Sequence, residues 1–497
     1  MALLIILLSL PIFLLFLFQR HRTTKNVHMP PGPRGLPLIG NLHQFDNSNP
    51  QRYLWNLSKQ YGPLMSLRLG FVPTLIVSSA KMAKEVLRTH DLIFCNRPSL
   101  LGQHVLSYQG VDLAFAPYND YWREMRKICV IHLFNSNRVQ QFRPIREDEV
   151  SRMIEKILKS VVASKPVNLS ELMMLLTSTI TCRLAFGKRY EDEGIERSRF
   201  HALLSETQAM FGSFFFADHF PFMGWVDKLT GMISRLQKNF NEFDKFYDEL
   251  LAEHLDPRRP KSAQEDIIDV LLQIRKERGF KIDITWDQIK GVLMNVFVGG
   301  TETGAATVIW AMTYLMKNPR AMKKLQEEIR YEIGNQGFLN EDDVQKFPYL
   351  KAVVKETMRL QPAVPLLVPR ETTENCRLNG YEIPAKTMVY VNAWAIGRDP
   401  EAWDNPEEFN PDRFIGSSID LKGQSFELIP FGAGRRICPG IYMGIAIVEL
   451  ALANLVYKFD WEMPAAMSKE DLDFDVLPGV TVHKKNPLQL MARNYVI

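Results

Sequence analysis

The strongest constraint in this chain is a ten-residue stretch near its C-terminal end, Phe431-Gly432-Ala433-Gly434-Arg435-Arg436-Ile437-Cys438-Pro439-Gly440. Glycines on both sides of the cysteine let the backbone turn closely beneath a flat group, where side chains would collide, and leave amides free to aim at a thiolate. An arginine two residues before the cysteine supplies charge for a carboxylate on the rim of such a group. A helix starting just after Pro439 directs its positive end at the sulfur and favours the ionised form. The pattern is that of a ligand loop. The other four cysteines, Cys95, Cys129, Cys182 and Cys376, read as small buried hydrophobes. An odd, widely spaced set of five without a C-x-x-C pair suggests neither a disulfide framework nor a zinc site and fits a reducing compartment.

The remainder must build a body that presents this loop. A chain of 497 residues, 46% hydrophobic, has ample material for one large core or two fused lobes. Lys and Arg number 60 against 56 Asp and Glu, a net of +4, which argues against a nucleic-acid footprint spread over the surface. Residues Ala2 to Phe18 are apolar apart from Ser9, and at about 1.5 Å per residue they reach roughly 25 Å, marginally enough for a thin bilayer. No basic residue precedes this run and no small-residue cleavage pattern follows it, whereas Arg20, His21, Arg22 and Lys25 come at once. The positive-inside bias then leaves everything downstream in the cytosol. The expected organisation is an anchor over 1–19, a basic and proline-rich hinge over 20–40 carrying Pro30-Pro31-Gly32-Pro33, and a catalytic body over 41–497. In the cytosol the glycosylation triplets at Asn56 and Asn168 stay unmodified.

Apolar and polar residues alternate from Leu64 to Val77 around Gly70 and Pro73, as two short strands joined by a turn. Beyond them most of the chain to about Leu360 has helical periodicity, as in Ala80–Thr89, Arg146–Ser164 and Ile284–Met316, with a surface loop at His254–Glu265 and no long repeat. The expected fold class is mainly α with small β-sheets. Within it, Glu356 and Arg359 share one helix face, a pair that in isolation is a weak surface bridge. Gly299-Gly300-Thr301-Glu302-Thr303 interrupts a strong helix at a cost of roughly 2 kcal/mol. That cost suggests a groove in which a hydroxyl and a carboxyl hold a water chain and deliver protons. Trp122 and Arg126, at i and i+4, point the same way from one helical turn.

The ten-residue loop resembles the haem-binding signature of the cytochrome P450 superfamily in every defining position. The likeness runs along the whole chain, most closely to microsomal plant enzymes of specialised metabolism and, among these, to the branch acting on aldoximes derived from amino acids. The resemblance implies the P450 fold, with haem b between a long central helix and the Cys-ligand loop, behind an N-terminal transmembrane helix in the endoplasmic reticulum. It implies Cys438 as axial ligand of the haem iron, and Trp122, Arg126, Arg370 and Arg436 as partners of the haem propionates. Glu302 and Thr303 become the catalytic acid–alcohol pair, and Glu356, Arg359 and Arg413, the last in Phe409-Asn410-Pro411-Asp412-Arg413-Phe414, a structural triad that braces the core behind the haem.

The implied activity is a monooxygenase that inserts one atom of O2 into a small lipophilic metabolite and reduces the other to water. The chain carries neither a flavin fingerprint nor an iron–sulfur cysteine cluster, so electrons come from a separate membrane-bound NADPH-dependent reductase. Arg123, Lys127 and Arg435 are either part of its docking face or ordinary solvated charges. By family position the pocket is lined by Leu106–Val111, Met210–Phe216, Asn295–Gly299, Ala363–Val368 and Pro478–Val480, most of them apolar or aromatic. Aldoxime oxidation is one alternative and a non-oxygenating haem-thiolate isomerase or dehydratase another; both Glu302 and Thr303, and a loop without insertion, speak against the latter.

Overall fold

The structure is a computed structural model describing residues 28–190, 195–260, 264–277, 279–334, 336–465 and 467–495, the side chains of 195–201 excepted. The expected anchor, 1–19, and the basic start of the hinge lie outside the described residues. The alternation at Leu64–Val77 forms the expected hairpin. Strand β1 (Leu64–Leu69) runs antiparallel to β2 (Val72–Val77), with Leu64 opposite Val77 and Leu69 opposite Val72. Gly70 closes the turn at φ +64°, where a side chain is strained and would also meet the His219 carbonyl. β3 (Arg370–Glu371) and β4 (Met388–Val391) complete a sheet of order β1-β2-β4-β3 in which only β2 and β4 are parallel. A second hairpin, β5 (Val476–Leu477) with β6 (His483–Lys484), returns the C-terminal segment to the core.

The helices that position the site are α1 (Leu101–Leu106), α2 (Asp120–Ile128), α3 (Arg143–Val162), α4 (Leu169–Phe186), α5 (Ile195–Gly212), α6 (Met232–Leu255), α7 (Ile267–Glu277), α8 (Trp286–Lys317), α9 (Pro348–Leu360) and α10 (Ile441–Lys458). The longest, α8, starts at a capping box between Thr285 and Gln288 and ends at Asn318, before Pro319. It packs chiefly on α4 and then on α10, in the one large apolar core that most of these helices share. The expected helix at Ala80–Thr89 is α-helical to Lys84 and widens to a π-helical turn over Glu85–Thr89. The sheet has its own apolar cluster, which includes Leu87, Phe94 and Ala433 and so joins the sheet to the Cys438 loop.

One expectation changes. The double glycine does not interrupt α8, which runs through it without a break. A Cβ at Gly300 would lie 2.9 Å from Thr181 Oγ1 on α4. Thr177, also on α4, donates its hydroxyl to the Thr301 carbonyl at 2.5 Å. Gly300 is therefore a point of close helix approach, and the cost in helix propensity is offset by packing. Gly299 differs: a Cβ there would meet nothing within 4 Å, so that side of the helix faces open space. α4, α8 and α10 are each long and apolar enough to cross a membrane, but about two thirds of each apolar window is buried inside the protein, as core helices require.

Candidate active site

The Cys438 loop is shaped by its glycines. Gly432 and Gly434 have φ of +71° and +69°, and a side chain at Gly434 would overlap the Leu87 carbonyl. The Cys438 amide donates to the Phe431 carbonyl at 3.0 Å, closing the loop. Gly440 caps α10 as expected, and its amide donates to the sulfur. Burial pushes the Cys438 thiol up, while the Gly440 amide and Arg126 pull it down. Burial prevails in the bare polypeptide, so full ionisation calls for the charge of a bound metal. All five cysteines are free.

Beside this loop the fold gathers four buried or largely buried arginines. Arg126 on α2 donates to the carbonyl of Ile437, the residue before the cysteine, at 2.6 Å. Arg370 on β3 donates to Asp91 at 3.1 Å and to the Ala433 carbonyl at 2.8 Å. Arg436 reaches the carbonyls of Cys95 (2.8 Å) and Ala116 (2.7 Å), and its Nη1 is buried with no hydrogen-bond partner among the described residues. Arg97, which the sequence reading did not single out, donates to the carbonyls of Ala114, Val368 and Pro369 at 2.6–2.8 Å. Burial lowers the proton affinity of all four by disfavouring the charged form. For Arg436, brought to about 9, Arg370 and Arg126 add repulsion. A guanidinium does not in practice give up its proton, so the cluster is a site of positive potential that an anion relieves.

Trp122 directs its indole N–H to the Leu113 carbonyl at 2.9 Å, and the Arg436 guanidinium lies 4.0 Å from its ring centroid. Trp122 thus joins the cluster through the face of its ring. A sulfur ligand, a floor of positive-φ glycine and an unpartnered guanidinium nitrogen fit a flat, iron-bearing group with carboxylates on its rim.

On α8 the Thr303 hydroxyl donates to the Gly299 carbonyl at 2.8 Å, on the side that faces open space. Glu302 is almost fully buried, and its Oε2 lies 3.0 Å from Nε2 of His483 on β6. His483 was not foreseen; nothing local in Thr481-Val482-His483-Lys484 indicates that a C-terminal hairpin reaches α8.

Glu356, Arg359 and Arg413 come together as expected. Arg359 grips Glu356 with two bonds, at 2.7 and 2.8 Å, and Arg413 adds a third at 3.1 Å; neither Glu356 nor Arg359 has an exposed side chain. Arg359 also donates to the carbonyls of Gly397, Pro406 and Glu408. On the surface Arg123 pairs with Asp120, while Arg435 lines a concavity of about 780 Å³ with Arg88, His90 and Lys422 and the carboxylates of Asp91 and Glu374, next to the cysteine loop. Of the expected pocket residues, Leu106, Met210, Phe211 and Phe215 form one apolar cluster, joined by Phe115, Val298 and Val480. Asn295 instead engages the loop at 112–114.

A cysteine-ligated haem protein with an acid and an alcohol on the long helix is the class this arrangement defines. The cytochrome P450 family model matches residues 30–491, and the chain belongs to that family. It is 51% identical over 498 residues to the 5-OH-xanthotoxin synthase of Pastinaca sativa, covering 98% of each chain. It is also 51% identical over 502 residues to the 6,7,8-trihydroxycoumarin synthase of the same plant, covering 99% of each. A solved zebra fish cytochrome P450 with progesterone superposes with a TM-score of 0.76 at 27% identity, over 89% of this chain and 99% of that one. The chain is accordingly a haem-thiolate monooxygenase of the plant specialised-metabolism group. Its cofactor is a haem iron, its co-substrate O2, and the family works with a redox partner on lipophilic substrates.

Proposed function

We propose that this enzyme hydroxylates a planar, coumarin-like aromatic metabolite. The observation that carries the reading is the stacked pair Phe115 and Phe211, ring centroids 5.0 Å apart and 29° from parallel, packed in one apolar cluster with Val298 of α8 and Val480. Flat aromatic walls favour a flat aromatic guest through offset stacking and apolar burial. The names of the two plant relatives, both synthases of hydroxylated coumarins, point the same way. Neither name contains an aldoxime, which becomes an arm of the test.

On this reading Cys438 would hold the haem iron, and Arg97, Arg126, Arg370 and Arg436 would neutralise the propionates, with Trp122 supporting the Arg436 guanidinium through its ring face. The haem, when bound, supplies dioxygen activation and oxidising power. Thr303 presents a hydroxyl to the open side of α8, and Glu302 behind it exchanges protons with solvent through His483, which is about a quarter exposed. Glu356, Arg359 and Arg413 hold the fold behind the cofactor.

The enzyme is tethered to the endoplasmic reticulum by residues 1–19, followed by the hinge 20–40 and the catalytic body 41–497. Two sets of exposed apolar side chains support a membrane-facing side: Leu36, Leu38 and Ile39, and Phe222, Trp225 and Leu229. They are bridged through the β1–β2 turn, where the Gly70 amide donates to the Ile39 carbonyl and the Phe71 amide to that of His219. Electrons come from a membrane-bound NADPH-dependent reductase, and the concavity at Arg435, where Arg88 and Lys422 stand beside Asp91 and Glu374, is the suitable docking face.

The test is the carbon monoxide difference spectrum of wild type and Cys438→Ser, followed by NADPH-dependent turnover with a plant reductase on xanthotoxin, simple coumarins and phenylacetaldoxime. A thiolate-type Soret band lost in the variant, and a hydroxylated coumarin as product, are expected. Turnover of the aldoxime alone would overturn the substrate reading. Product without NADPH would mean an isomerase, and no such band would end the assignment of Cys438.

A further inference from the structure

Between Asp112 and Ala116 every backbone amide after the first is held by one of two side chains. Asp112 Oδ1 accepts from the amides of Phe115 and Ala116, each at 2.8 Å. Asn295 Oδ1, from α8, accepts from Leu113 at 2.8 Å and Ala114 at 3.0 Å, and its Nδ2 donates to Asp112 Oδ2 at 2.7 Å. The carbonyls of this segment serve the cofactor cradle: Leu113 accepts from Trp122, Ala114 from Arg97 and Ala116 from Arg436. The Leu113 side chain packs into the large core, whereas Phe115 stacks on Phe211.

Two further observations show that the arrangement is built in. The segment is entered through three successive left-handed residues, Tyr108, Gln109 and Gly110, at φ of +53°, +60° and +77°. Non-glycine residues keep that conformation only where their surroundings over-determine it. One turn before Asn295 stands Gly291, where a Cβ would lie 3.3 Å from that of Asp112. α8 thus leaves room for Asp112 and meets it with an amide side chain on the same face. Asp112 is fully buried, and burial pushes it up to about 6 against the pull of Asn295 and the two amides.

We propose that Asp112 and Asn295 form a keystone that fixes the substrate-facing ring of Phe115 and the arginines around the haem propionates as one rigid unit. Asn295 is then a positioning residue for substrate and cofactor together. The inference rests on the haem assignment above and adds the coupling between the two sites. Without the Asn295 amide, two partly buried N–H groups and one oxygen of the buried Asp112 lose their partner. The segment moves to recover hydrogen bonds, and both the Phe115 ring and the carbonyls beneath the arginines move with it.

The experiment compares wild-type holoenzyme with Asn295→Leu, which keeps the volume without the hydrogen bonds, and with the milder Asn295→Ser and Asn295→Asp. Three quantities are read: the dissociation constant of 4-phenylimidazole from its Soret shift, the rate of haem transfer to apomyoglobin, and amide hydrogen exchange over residues 107–118 by mass spectrometry. In Asn295→Leu the dissociation constant is expected to rise at least tenfold, haem loss to accelerate at least fivefold, and the amides of 113–116 to lose protection. Across the series the first two should move together. Two single-sided controls calibrate this: Phe115→Ala should weaken 4-phenylimidazole alone, and Arg436→Met should accelerate haem loss alone.

A change in ligand affinity with haem loss unaltered would make Asn295 a pocket-lining residue and overturn the proposal. So would faster haem loss with affinity unaltered, or unchanged amide exchange. If Asn295→Leu does not accumulate as folded protein, the Ser and Asp variants decide by the same correlation. Should wild type lack the thiolate Soret band, the haem reading fails while the exchange measurement still reports on the clamp.

Discussion

Glu356 lies between two arginines with no exposure to solvent, and every part of that triad has a protein partner: Arg359 holds the carboxylate with two bonds and directs its remaining donors at three backbone carbonyls. The cluster of Arg97, Arg126, Arg370 and Arg436 is built the other way. Among the described residues only Asp91 gives it a directly bonded carboxylate, its other hydrogen bonds go to carbonyls, and one buried nitrogen of Arg436 has no partner. Both are buried ionic groups, yet the triad is complete in the polypeptide and the cluster reaches low energy only when negative charge enters it. On the proposed reading the first is a fold element and the second a binding site, and the hydrogen-bond partners distinguish them where residue type alone does not.

Removing one partner from the complete unit should have the largest effect. Arg359→Met leaves Glu356 buried beside Arg413 alone, a loss of about 3–5 kcal/mol. Little or no folded holoprotein is expected on expression, and a thermal midpoint equal to wild type would break the comparison. Glu449 on α10 sharpens it from the other side, as a buried carboxylate with no bonded arginine among the described residues; burial pushes it up to about 7, with Lys351 and Lys355 opposing only at a distance. An acid whose folded pKa is raised holds its proton more tightly when folded, so stability falls as pH rises from about 4.5 towards 7 and is level above that. Glu449→Gln should therefore raise stability at pH 8 by up to roughly 3 kcal/mol, with the gain vanishing as pH falls towards 4.5. Denaturant unfolding at several pH values measures this, and a gain independent of pH would refute it.

In the incomplete cluster the same kind of deletion should spare the fold. Arg436→Met removes one of several repelling cations and keeps the apolar stem, so the thermal midpoint of the protein stripped of haem should stay within about 2 °C of wild type. Haem release should be roughly 10- to 100-fold faster, since a charge-assisted bond to a propionate is worth about 1.5–3 kcal/mol. Unaltered release would mean that the arginines serve the fold after all.

What the sequence made legible was what is local. The β1–β2 hairpin shows in an alternation of period two, α8 in helical periodicity sustained from Ile284 to Met316, the Cys438 loop in glycines that only a close approach requires. Glu356 and Arg359 share a helix face within three residues. The double glycine on α8 was visible too, but its meaning was not: Gly300 answers to Thr181 on another helix, while only Gly299 faces open space. Arg97, Asp112 and His483 went unread for the same reason. Each is an ordinary polar residue in its own stretch, and each acquires a role only through contacts with segments more than ten residues and often hundreds away, such as Arg97 with Pro369 or His483 with Glu302.

His483 carries the smallest and most specific effect. It binds the acid of α8 at 3.0 Å from a hairpin that no helix of the core dictates, and it keeps part of its ring in contact with solvent. Its place suits two functions: anchoring the Glu302 carboxylate, and passing protons to it. His483→Ala removes both, while His483→Gln keeps a donor but cannot pass a proton through a ring. Loss of the single hydrogen bond is worth about 1 kcal/mol, so product formed per NADPH should fall about fivefold in the alanine variant, with hydrogen peroxide in its place. If the residue only anchors, the glutamine variant returns to wild-type coupling. If it also relays protons, the glutamine variant stays uncoupled and its turnover shows a larger solvent deuterium isotope effect than wild type. Normal coupling in the alanine variant would place the proton path elsewhere on the open side of α8, beside Thr303 and Gly299, and would leave the Glu302–His483 pair as a tie between helix and hairpin, akin in kind to the triad rather than to the cradle.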